Sequence, residues 1–219
     1  MKNKINIAID GPAAAGKSTI SKRVAEQLSY IYIDTGAMYR AITLLYIENG
    51  KDIINNLSDF EITFKREDSN RVLLNNRDVT DEIRSQDVTG KVSEVSSFEA
   101  VRSYLVEMQQ KIGIEKGVVM DGRDIGTTVL PDAELKIFMQ ASPRVRAERR
   151  LLEEKERGNA IDLDQLTSQI IRRDELDMNR EISPLVQADD AVLLDTTELS
   201  IEEVEEHILH LAQQKIGVE

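Results

Sequence analysis

Apolar positions along the chain fall into runs that suit a buried parallel sheet. Three segments are almost continuously apolar, at 117–120, 135–139 and 191–194. Runs of this kind are typical of strands covered on both faces. Two shorter apolar segments near the N-terminus extend the set. We therefore predict five core strands, at residues 4–10, 30–33, 117–121, 135–139 and 191–195.

Helical patterns follow these predicted strands. Apolar residues at 20, 24 and 28 lie on one face of the segment after the first strand. Ser96-x-x-Glu99 and Ser200-x-x-Glu203 predict capping boxes, and Ser142 before Pro143 predicts a helix start. This alternation predicts an open α/β sheet with helices on both faces, which binds its ligand at the carboxyl ends of the strands.

The middle of the chain departs from this pattern. Residues 60–64 alternate apolar and polar side chains, as a half-buried antiparallel strand does, and a polar turn at 67–70 precedes an apolar run at 71–75. We predict that the 219 residues form a single domain with a small hairpin-bearing insert at about 60–95.

A phosphate-binding pattern, G-x-x-x-x-G-K-[ST], runs from Gly11 to Ser18 between the first strand and the first helix. In this context, backbone N–H groups and the positive helix end surround one anion. Lys17 adds a full charge for the outer phosphates, and the Ser18 hydroxyl is placed to hold Mg²⁺ or one of its waters. The alternative interpretation is a structural glycine turn.

Polar residues also follow the second and third strands. Thr35 is predicted to cap a helix that presents Tyr39 and Arg40 near the phosphate-binding pattern, although an N-cap with a surface arginine is equally consistent. Residues 121–124 are Asp-Gly-Arg-Asp, so that two carboxylates and the Arg123 guanidinium meet at a strand end. Such a charged group is unsuited to a hydrophobic core and is typical of a polar binding site.

An arginine cluster follows the fourth strand. Arg146, Arg150 and Arg157 share one face of an ideal helix. Several glutamates in the same segment allow the alternative of a solvated helix with salt bridges. Gly158-Asn159 ends this helix and supplies the hinge that a lid over about 144–162 would need.

Two further groups occur near the C-terminus. Arg173, Asp177 and Arg180 form one polar helical stripe, for which an exposed ion pair is the alternative interpretation. His207 and His210 lack a nearby third ligand, so we interpret them as a solvated helix face.

The amino-acid composition limits the classes of molecule that the protein is expected to bind. The net charge is −12, which disfavours nucleic acid and anionic membranes, so that the clustered arginines suit a small anionic ligand. No apolar run approaches the ~20 residues that cross a bilayer, and no secretory signal is recognised. Without cysteine, disulfides and thiolate chemistry are excluded. We expect a cytoplasmic monomer.

The chain resembles the bacterial cytidylate kinases, a family of P-loop nucleoside monophosphate kinases. The stretches that carry the resemblance are 9–19 (IDGPAAAGKST), 34–40 (DTGAMYR), 121–127 (DGRDIGT), 173–180 (RDELDMNR) and 194–197 (LDTT). The first stretch is shared by many phosphotransferases, whereas DGRDIG and MNR are more particular to this family. Thr35 stands where some relatives carry serine, which preserves the hydroxyl.

The resemblance implies a P-loop NTPase-type five-stranded parallel sheet with a helical lid, and transfer of phosphate from Mg²⁺·ATP to CMP or dCMP. The implied ATP-binding residues are Gly11, Pro12, Ala13, Ala14, Ala15, Gly16, Lys17, Ser18 and Thr19. The implied substrate-binding residues are Thr35, Tyr39, Arg40, Ser93, Arg102, Arg123, Asp124, Arg173, Asp177 and Arg180. Lys17, Arg123 and two lid residues, Arg146 and Arg150, are the implied catalytic residues.

The resemblance further implies that Arg40, Arg123 and Arg173 bind the acceptor phosphate. Ser93, Arg102 and Asp124 would contact the cytosine, and Asp177 and Arg180 the sugar. Two other functions stay open. A related P-loop kinase would use another monophosphate or a small metabolite. A nucleotide-binding switch with slow hydrolysis would show no turnover that depends on an acceptor.

Overall fold

The computed structural model describes residues 4–65, 68–156, 158 and 161–217, with the backbone alone at 65 and 68–70. The strands are β1 Asn6–Asp10, β2 Ile31–Asp34, β3 Ile62–Lys65, β4 Asp68–Leu74, β5 Arg77–Asp78, β6 Val118–Gly122, β7 Leu135–Gln140 and β8 Val192–Asp195. The α-helices are α1 Lys17–Leu28, α2 Thr35–Asn49, α3 Gln86–Val95, α4 Glu99–Gly113, α5 Pro143–Glu156, α6 Leu163–Met178 and α7 Ile201–Ile216. Short 3-10 helices span Lys51–Asp59 and Glu82–Arg84, and a π-helical turn spans Ile125–Val129.

A five-stranded parallel sheet in the order β2-β6-β1-β7-β8, flanked by helices, confirms the predicted fold class. Each of the five predicted strands forms, with ends that differ by a few residues. In the register of β1 with β6, Ile9 lies opposite Asp121 and Asp10 lies opposite Gly122. Because the strands are parallel, the segments that follow β1 and β6 leave the sheet at the same edge.

The chain divides into two compact units, residues 1–32 with 115–219 and residues 33–114. In the first unit, the central strands pack against one face of α1 and one face of α7. Ile7 and Ile137 from the sheet, Val24 from α1 and Ile208 from α7 belong to the same buried cluster. The apolar periodicity of these helices is therefore explained by the sheet that they cover.

The second unit contains α2, α3, α4 and a three-stranded antiparallel sheet in the order β3-β4-β5. The predicted hairpin at 60–95 is part of this larger unit. The Tyr104 hydroxyl of α4 donates to the Phe60 carbonyl at 2.7 Å, which fixes the chain just before β3. Among the described residues, no helix is long and apolar enough to cross a membrane.

The predictions of helix starts are correct where the sequence pattern allows only one interpretation. Ser200 and Glu203 form the predicted capping box, and Ser142 accepts from the Val145 N–H at 3.4 Å. The capping box at Ser96 is wrong, because Ser96 ends α3 and donates to the Ser93 carbonyl, while Phe98 precedes α4. The end of α3 and the start of α4 lie only a few residues apart here, and Ser96 forms the end of α3.

One other prediction is partly wrong, and another falls partly outside the described residues. The polar turn predicted at 67–70 is wrong for 68–70, which belong to β4, a strand whose first residue pairs with Lys65 of β3. In the predicted lid, 157, 159 and 160 lie outside the described residues, as do Arg157 of the arginine cluster and Asn159 of the hinge. Gly158 has φ of 78°, a conformation that suits glycine.

Candidate active site

The segment 11–18, named here the phosphate loop, joins β1 to α1. Gly11 has φ of 148°, and a Cβ at this position would lie 2.0 Å from the Met139 carbonyl oxygen of β7. Only glycine fits there. Gly16, the residue before α1, has no side chain to cap the helix. The first N–H groups of α1 are thus oriented toward the loop, as anion binding at a helix end requires.

Lys17 is buried in this loop, and its ammonium donates to the Pro12 carbonyl at 2.8 Å. Burial lowers the pKa of Lys17 to about 7, and the positive charges of Arg123 and Arg173 act in the same direction. The carboxylates of Asp121 and Asp10 oppose this shift. Lys17 is therefore close enough to two arginines to be repelled by both, a condition that a bound polyphosphate would relieve.

A chain of hydrogen bonds links α1 to β6 and β2. The Ser18 hydroxyl donates to Asp121 Oδ2 at 2.8 Å, and the Tyr32 hydroxyl donates to Asp121 Oδ1 at 2.9 Å. Tyr32 and Asp121 are both buried. Each oxygen of the carboxylate thus has a hydroxyl donor, so that the orientation of Asp121 is fixed from two sides.

The hydroxyl and carboxylate of Ser18 and Asp121 are hard oxygen donors of the type that Mg²⁺ prefers. The described residues contain no group of three or more His, Cys, Asp or Glu side chains arranged for a metal. One carboxylate and one hydroxyl suit an ion that takes its remaining ligands from nucleotide phosphates and water. These two residues therefore fit Mg²⁺ that arrives with a nucleotide.

Asp10, the last residue of β1, holds the segment that follows β6. Its carboxylate accepts the N–H groups of Ile125 and Gly126 at 2.8 and 2.7 Å. Burial raises the pKa of Asp10 to about 6, although these two hydrogen bonds favour the charged form. The negative charge of Asp124 also raises the pKa. Asp10 therefore fixes the backbone beside Arg123 and Asp124 at the start of the π-helical turn.

Arg123 forms a buried ion pair with α6. Its Nε donates to Asp177 Oδ2 at 2.9 Å. Burial opposes the charge of Arg123, but the Asp177 carboxylate raises its pKa above the ordinary value. Burial likewise opposes the charge of Asp177, but Arg123, Arg173 and Arg180 hold its pKa below the ordinary range. The predicted residues 123, 173, 177 and 180 therefore form one charged group.

Arg146 is bound to the phosphate loop itself. Its Nη1 donates to the Ala13 carbonyl at 2.9 Å and to Asp174 Oδ2 at 2.6 Å, and its Nε donates to the Ala141 carbonyl at 2.8 Å. Asp174 Oδ1 in turn accepts the Ala13 N–H at 3.0 Å. Ala13, Arg146 and Asp174 thus form a closed ring of buried interactions, named here the Ala13 clamp.

Two further arginines of α5 differ from Arg146. Arg149 donates to the Ala15 carbonyl at 3.4 Å and to the Thr196 carbonyl at 2.6 Å, so that it also contacts the phosphate loop. Arg150 instead forms ion pairs with Glu153 and Glu154 of its own helix. Its environment matches the salt-bridge alternative considered from the sequence.

In the second unit, Asp34 and not Thr35 is the N-cap of α2. The Asp34 carboxylate accepts the Ala37 N–H at 2.8 Å and also pairs with Arg40 at 2.9 Å. A Cβ on Gly36 would lie 3.1 Å from both charged groups. The predicted cap at Thr35 is wrong because the adjacent carboxylate reaches the same N–H groups; Thr35 itself is buried.

The other predicted substrate residues of this unit gather near the junction of α3 and α4. The Arg102 guanidinium lies 5.4 Å from the centre of the Tyr39 ring, and its Nη1 donates to the Ser96 carbonyl at 3.4 Å. Arg102 is buried. Ser93 contributes its carbonyl to the Ser96 hydroxyl at the end of α3.

Sequence reasoning did not single out Tyr32, Asp10 or Asp174 as functional. Asp10 precedes the glycine loop, and Asp174 lies between two predicted residues, so position relative to the motifs offered a signal for these two. No local signal marks Tyr32, because its partner Asp121 lies on a different strand.

The comparisons with known proteins agree with this geometry. The family model described as cytidylate kinase matches residues 7–214. The chain belongs to the cytidylate kinase family. As a member, it is a P-loop phosphotransferase that acts on a nucleoside monophosphate or a small metabolite.

Three solved structures are similar to this chain. An uncharacterized protein from Eubacterium ventriosum ATCC 27560 matches with a TM-score of 0.54 at 12% identity, covering 97% of this chain and 99% of that one. Shikimate kinase from Bacteroides thetaiotaomicron matches with a TM-score of 0.49 at 15% identity, covering 96% and 99% of the two chains. Gluconokinase from Sinorhizobium meliloti 1021 gives a TM-score of 0.48 at 15% identity, with 98% and 94% covered. Identities this low concern the fold and not the substrate.

Proposed function

We propose that this protein transfers the terminal phosphoryl group of ATP to CMP or dCMP, yielding ADP and CDP or dCDP. The observation that carries the proposal is the cationic group of Lys17, Arg123 and Arg173 beside the phosphate loop, in a chain of the cytidylate kinase family. Phosphoryl transfer needs two anionic ligands held in line with their repulsion offset, and such a group supplies that condition.

The donor side is assigned to the phosphate loop. Its backbone N–H groups and Lys17 bind the outer phosphates of ATP, with Gly11 to Thr19 as the contacting segment. Ser18 and Asp121 would hold Mg²⁺, which supplies charge neutralisation at the phosphates when it is bound. No general base is required, because the attacking phosphate oxygen is already charged.

The acceptor side is assigned to the residues that the resemblance implies. Arg40, Arg123 and Arg173 bind the phosphate of CMP, since planar guanidinium groups grip phosphate oxygens in pairs. Asp177 and Arg180 meet the sugar, and Thr35 and Tyr39 complete the site. This set is proposed from the resemblance and from the charge of each residue.

Cytosine presents an amino donor beside two acceptors. A site with the Asp124 carboxylate, the Arg102 guanidinium and the Ser93 hydroxyl complements that edge. Uracil would place an acceptor against the carboxylate and leave a buried polar group without a hydrogen bond, at a cost of roughly 1–3 kcal/mol. Base preference is therefore proposed to depend on Asp124 first.

The arginines of α5 are proposed to serve the ATP phosphates in two ways. Arg146 holds Ala13 of the phosphate loop in its binding conformation through the Ala13 clamp. Arg150 is proposed to exchange its partners, the exposed Glu153 and the buried Glu154, for a phosphate when the lid closes, because a phosphate carries more charge than a carboxylate. The segment 60–95 is proposed to cover the monophosphate, and the protein to act as a cytoplasmic monomer.

Measuring ADP formation with CMP, dCMP, UMP, AMP and dTMP in separate reactions tests the substrate assignment. We expect CMP and dCMP to give the highest kcat/KM. A clear preference for another acceptor would assign the protein to a related kinase activity. ADP formation that no acceptor accelerates would instead indicate a nucleotide switch and contradict the proposal.

A further inference from the structure

The buried hydroxyl of Tyr32 has no place in the roles assigned so far. Tyr32 lies in β2, and 6% of its surface is exposed. Its hydroxyl donates to Asp121 Oδ1 at 2.9 Å, while the other oxygen of that carboxylate accepts from Ser18 at 2.8 Å. A tyrosine hydroxyl in a parallel core needs such a partner, yet a phenylalanine would fill the same space without one.

The carboxylate that Tyr32 contacts is also attracted by two cationic side chains. The charge of Asp121 acts on Lys17 and on Arg123, both of which belong to the cationic group. A carboxylate free to rotate would turn toward these cations. The hydrogen bond from Tyr32 comes from β2, whereas Ser18 belongs to α1, so the carboxylate is held between two elements.

We propose that Tyr32 is a positioning residue for the metal-nucleotide site. Its hydroxyl fixes Asp121 so that Oδ2 faces Ser18, and the pair then presents one carboxylate oxygen and one hydroxyl in a constant geometry. The inference rests on the proposed function only for the use of an adenine nucleotide with Mg²⁺. It does not depend on the identity of the acceptor.

The chain offers a matched control for this role. Tyr30 lies just before β2, and its hydroxyl accepts the Ile5 N–H at 3.1 Å. Tyr30→Phe therefore deletes the same atom from a neighbouring tyrosine of the same unit, and the lost hydrogen bond serves the backbone alone. Any general effect of removing a partly or fully buried hydroxyl appears in both variants.

The test measures the dissociation constant of ADP by calorimetry, once with excess Mg²⁺ and once with EDTA. For Tyr32→Phe we expect binding with Mg²⁺ to weaken by about fivefold to tenfold, within the range for loss of one ordinary hydrogen bond. Binding in EDTA should change by less than about twofold. Tyr30→Phe should leave both constants unchanged within the same limit.

A double-variant cycle with Ser18→Ala sharpens the result. Because Tyr32 acts through Asp121 on the geometry at Ser18, the two substitutions should be non-additive, and the double variant should bind Mg²⁺·ADP about as weakly as Ser18→Ala alone. Additive losses would overturn the proposal. So would equal weakening with and without Mg²⁺, or the same loss in Tyr30→Phe. The use of a different acceptor would leave this inference intact, because no acceptor enters the measurement.

Discussion

The two units of the molecule hold their charged residues in different ways. In the first unit, Lys17, Arg123 and Arg146 are bonded to partners far away in the sequence or to the phosphate loop itself. In the second unit, Arg40 pairs with Asp34 six residues earlier, and Arg102 contacts the Ser96 carbonyl six residues earlier.

This difference indicates which substitutions of charged residues should change activity and stability together. Charges that connect distant elements of the first unit contribute to the fold as well as to the proposed chemistry. In the second unit, Arg40 and Arg102 have hydrogen-bond partners only six residues away, so we expect their proposed role in acceptor binding to be separable from folding. Substitutions of Lys17 and Arg146 should therefore change kcat or stability, and substitution of Arg102 should change the KM for CMP.

The largest expected effect follows from Lys17→Ala. Loss of the ammonium beside the phosphate loop should lower kcat by at least ~10²–10³, the range for a lost charge-stabilising donor. Steady-state kinetics with saturating ATP and CMP provide the measurement. Lys22→Ala, which removes a charge further along α1, is the control and should keep near-normal kcat. Near-normal activity in Lys17→Ala would remove this residue from the mechanism.

The Ala13 clamp predicts a large loss of stability. Asp174→Asn leaves the buried Arg146 charge without a charged partner, which should lower the free energy of unfolding by ~3–5 kcal/mol. Arg144→Gln, in the helix of Arg146 but with the exposed partners Glu148 and Asp164, should lower it by less than ~1 kcal/mol. Urea denaturation measures both. Equal losses would show that burial of the Arg146 pair has no special importance.

In the second unit, Arg102→Lys tests the proposed acceptor side. The variant keeps the charge but loses the planar fork, so the KM for CMP should rise by about tenfold to a hundredfold. The KM for ATP should change little. Kinetics with each substrate varied in turn distinguish the two, and an increase confined to the KM for ATP would contradict the division between the units.

Asp124→Asn should relax the base preference. An amide can donate as well as accept, so UMP should become a better acceptor relative to CMP by roughly fivefold or more, consistent with 1–3 kcal/mol for one unpaired polar group. The measured quantity is the ratio of kcat/KM for CMP to that for UMP. If that ratio stays at the wild-type value, another residue reads the base.

The last prediction concerns the pH dependence of stability. The pKa of Lys17 is lowered to about 7 in the folded state, so the unfolded chain binds more protons between pH 7 and about 10.5. Stability of the wild type relative to Lys17→Met should therefore rise with pH across this range. Urea denaturation at several pH values measures that difference. A difference that does not vary with pH would contradict the burial of a charged Lys17.

The sequence was informative where one segment determines its own structure. The strand, glycine loop and helix around Lys17 follow from adjacent residues, and the capping box at Ser200 needs only the four residues that form it. Patterns with two possible outcomes were less reliable. Asp34 and Thr35 are both good N-cap residues, and only the structure shows which one accepts the Ala37 N–H.

Long-range contacts account for what was missed. Asp174 receives the Ala13 N–H across 161 residues of chain, and Asp10 accepts the Gly126 N–H across 116. These pairs depend on the strand order β2-β6-β1-β7-β8, which brings distant segments to one edge of the sheet. The charged cluster could be predicted as residue types near strand ends, but its pairing could not.

The central claim is that ATP and a cytosine monophosphate bind together with their phosphates in line, and one binding measurement tests it directly. The ligand is a single molecule in which the terminal phosphate of an adenosine polyphosphate is joined to the phosphate of cytidine. We expect calorimetry to show that it binds at least ~10²-fold more tightly than ATP or CMP alone, as linked ligands do when both sites are engaged. Binding no tighter than that of ATP would contradict the account.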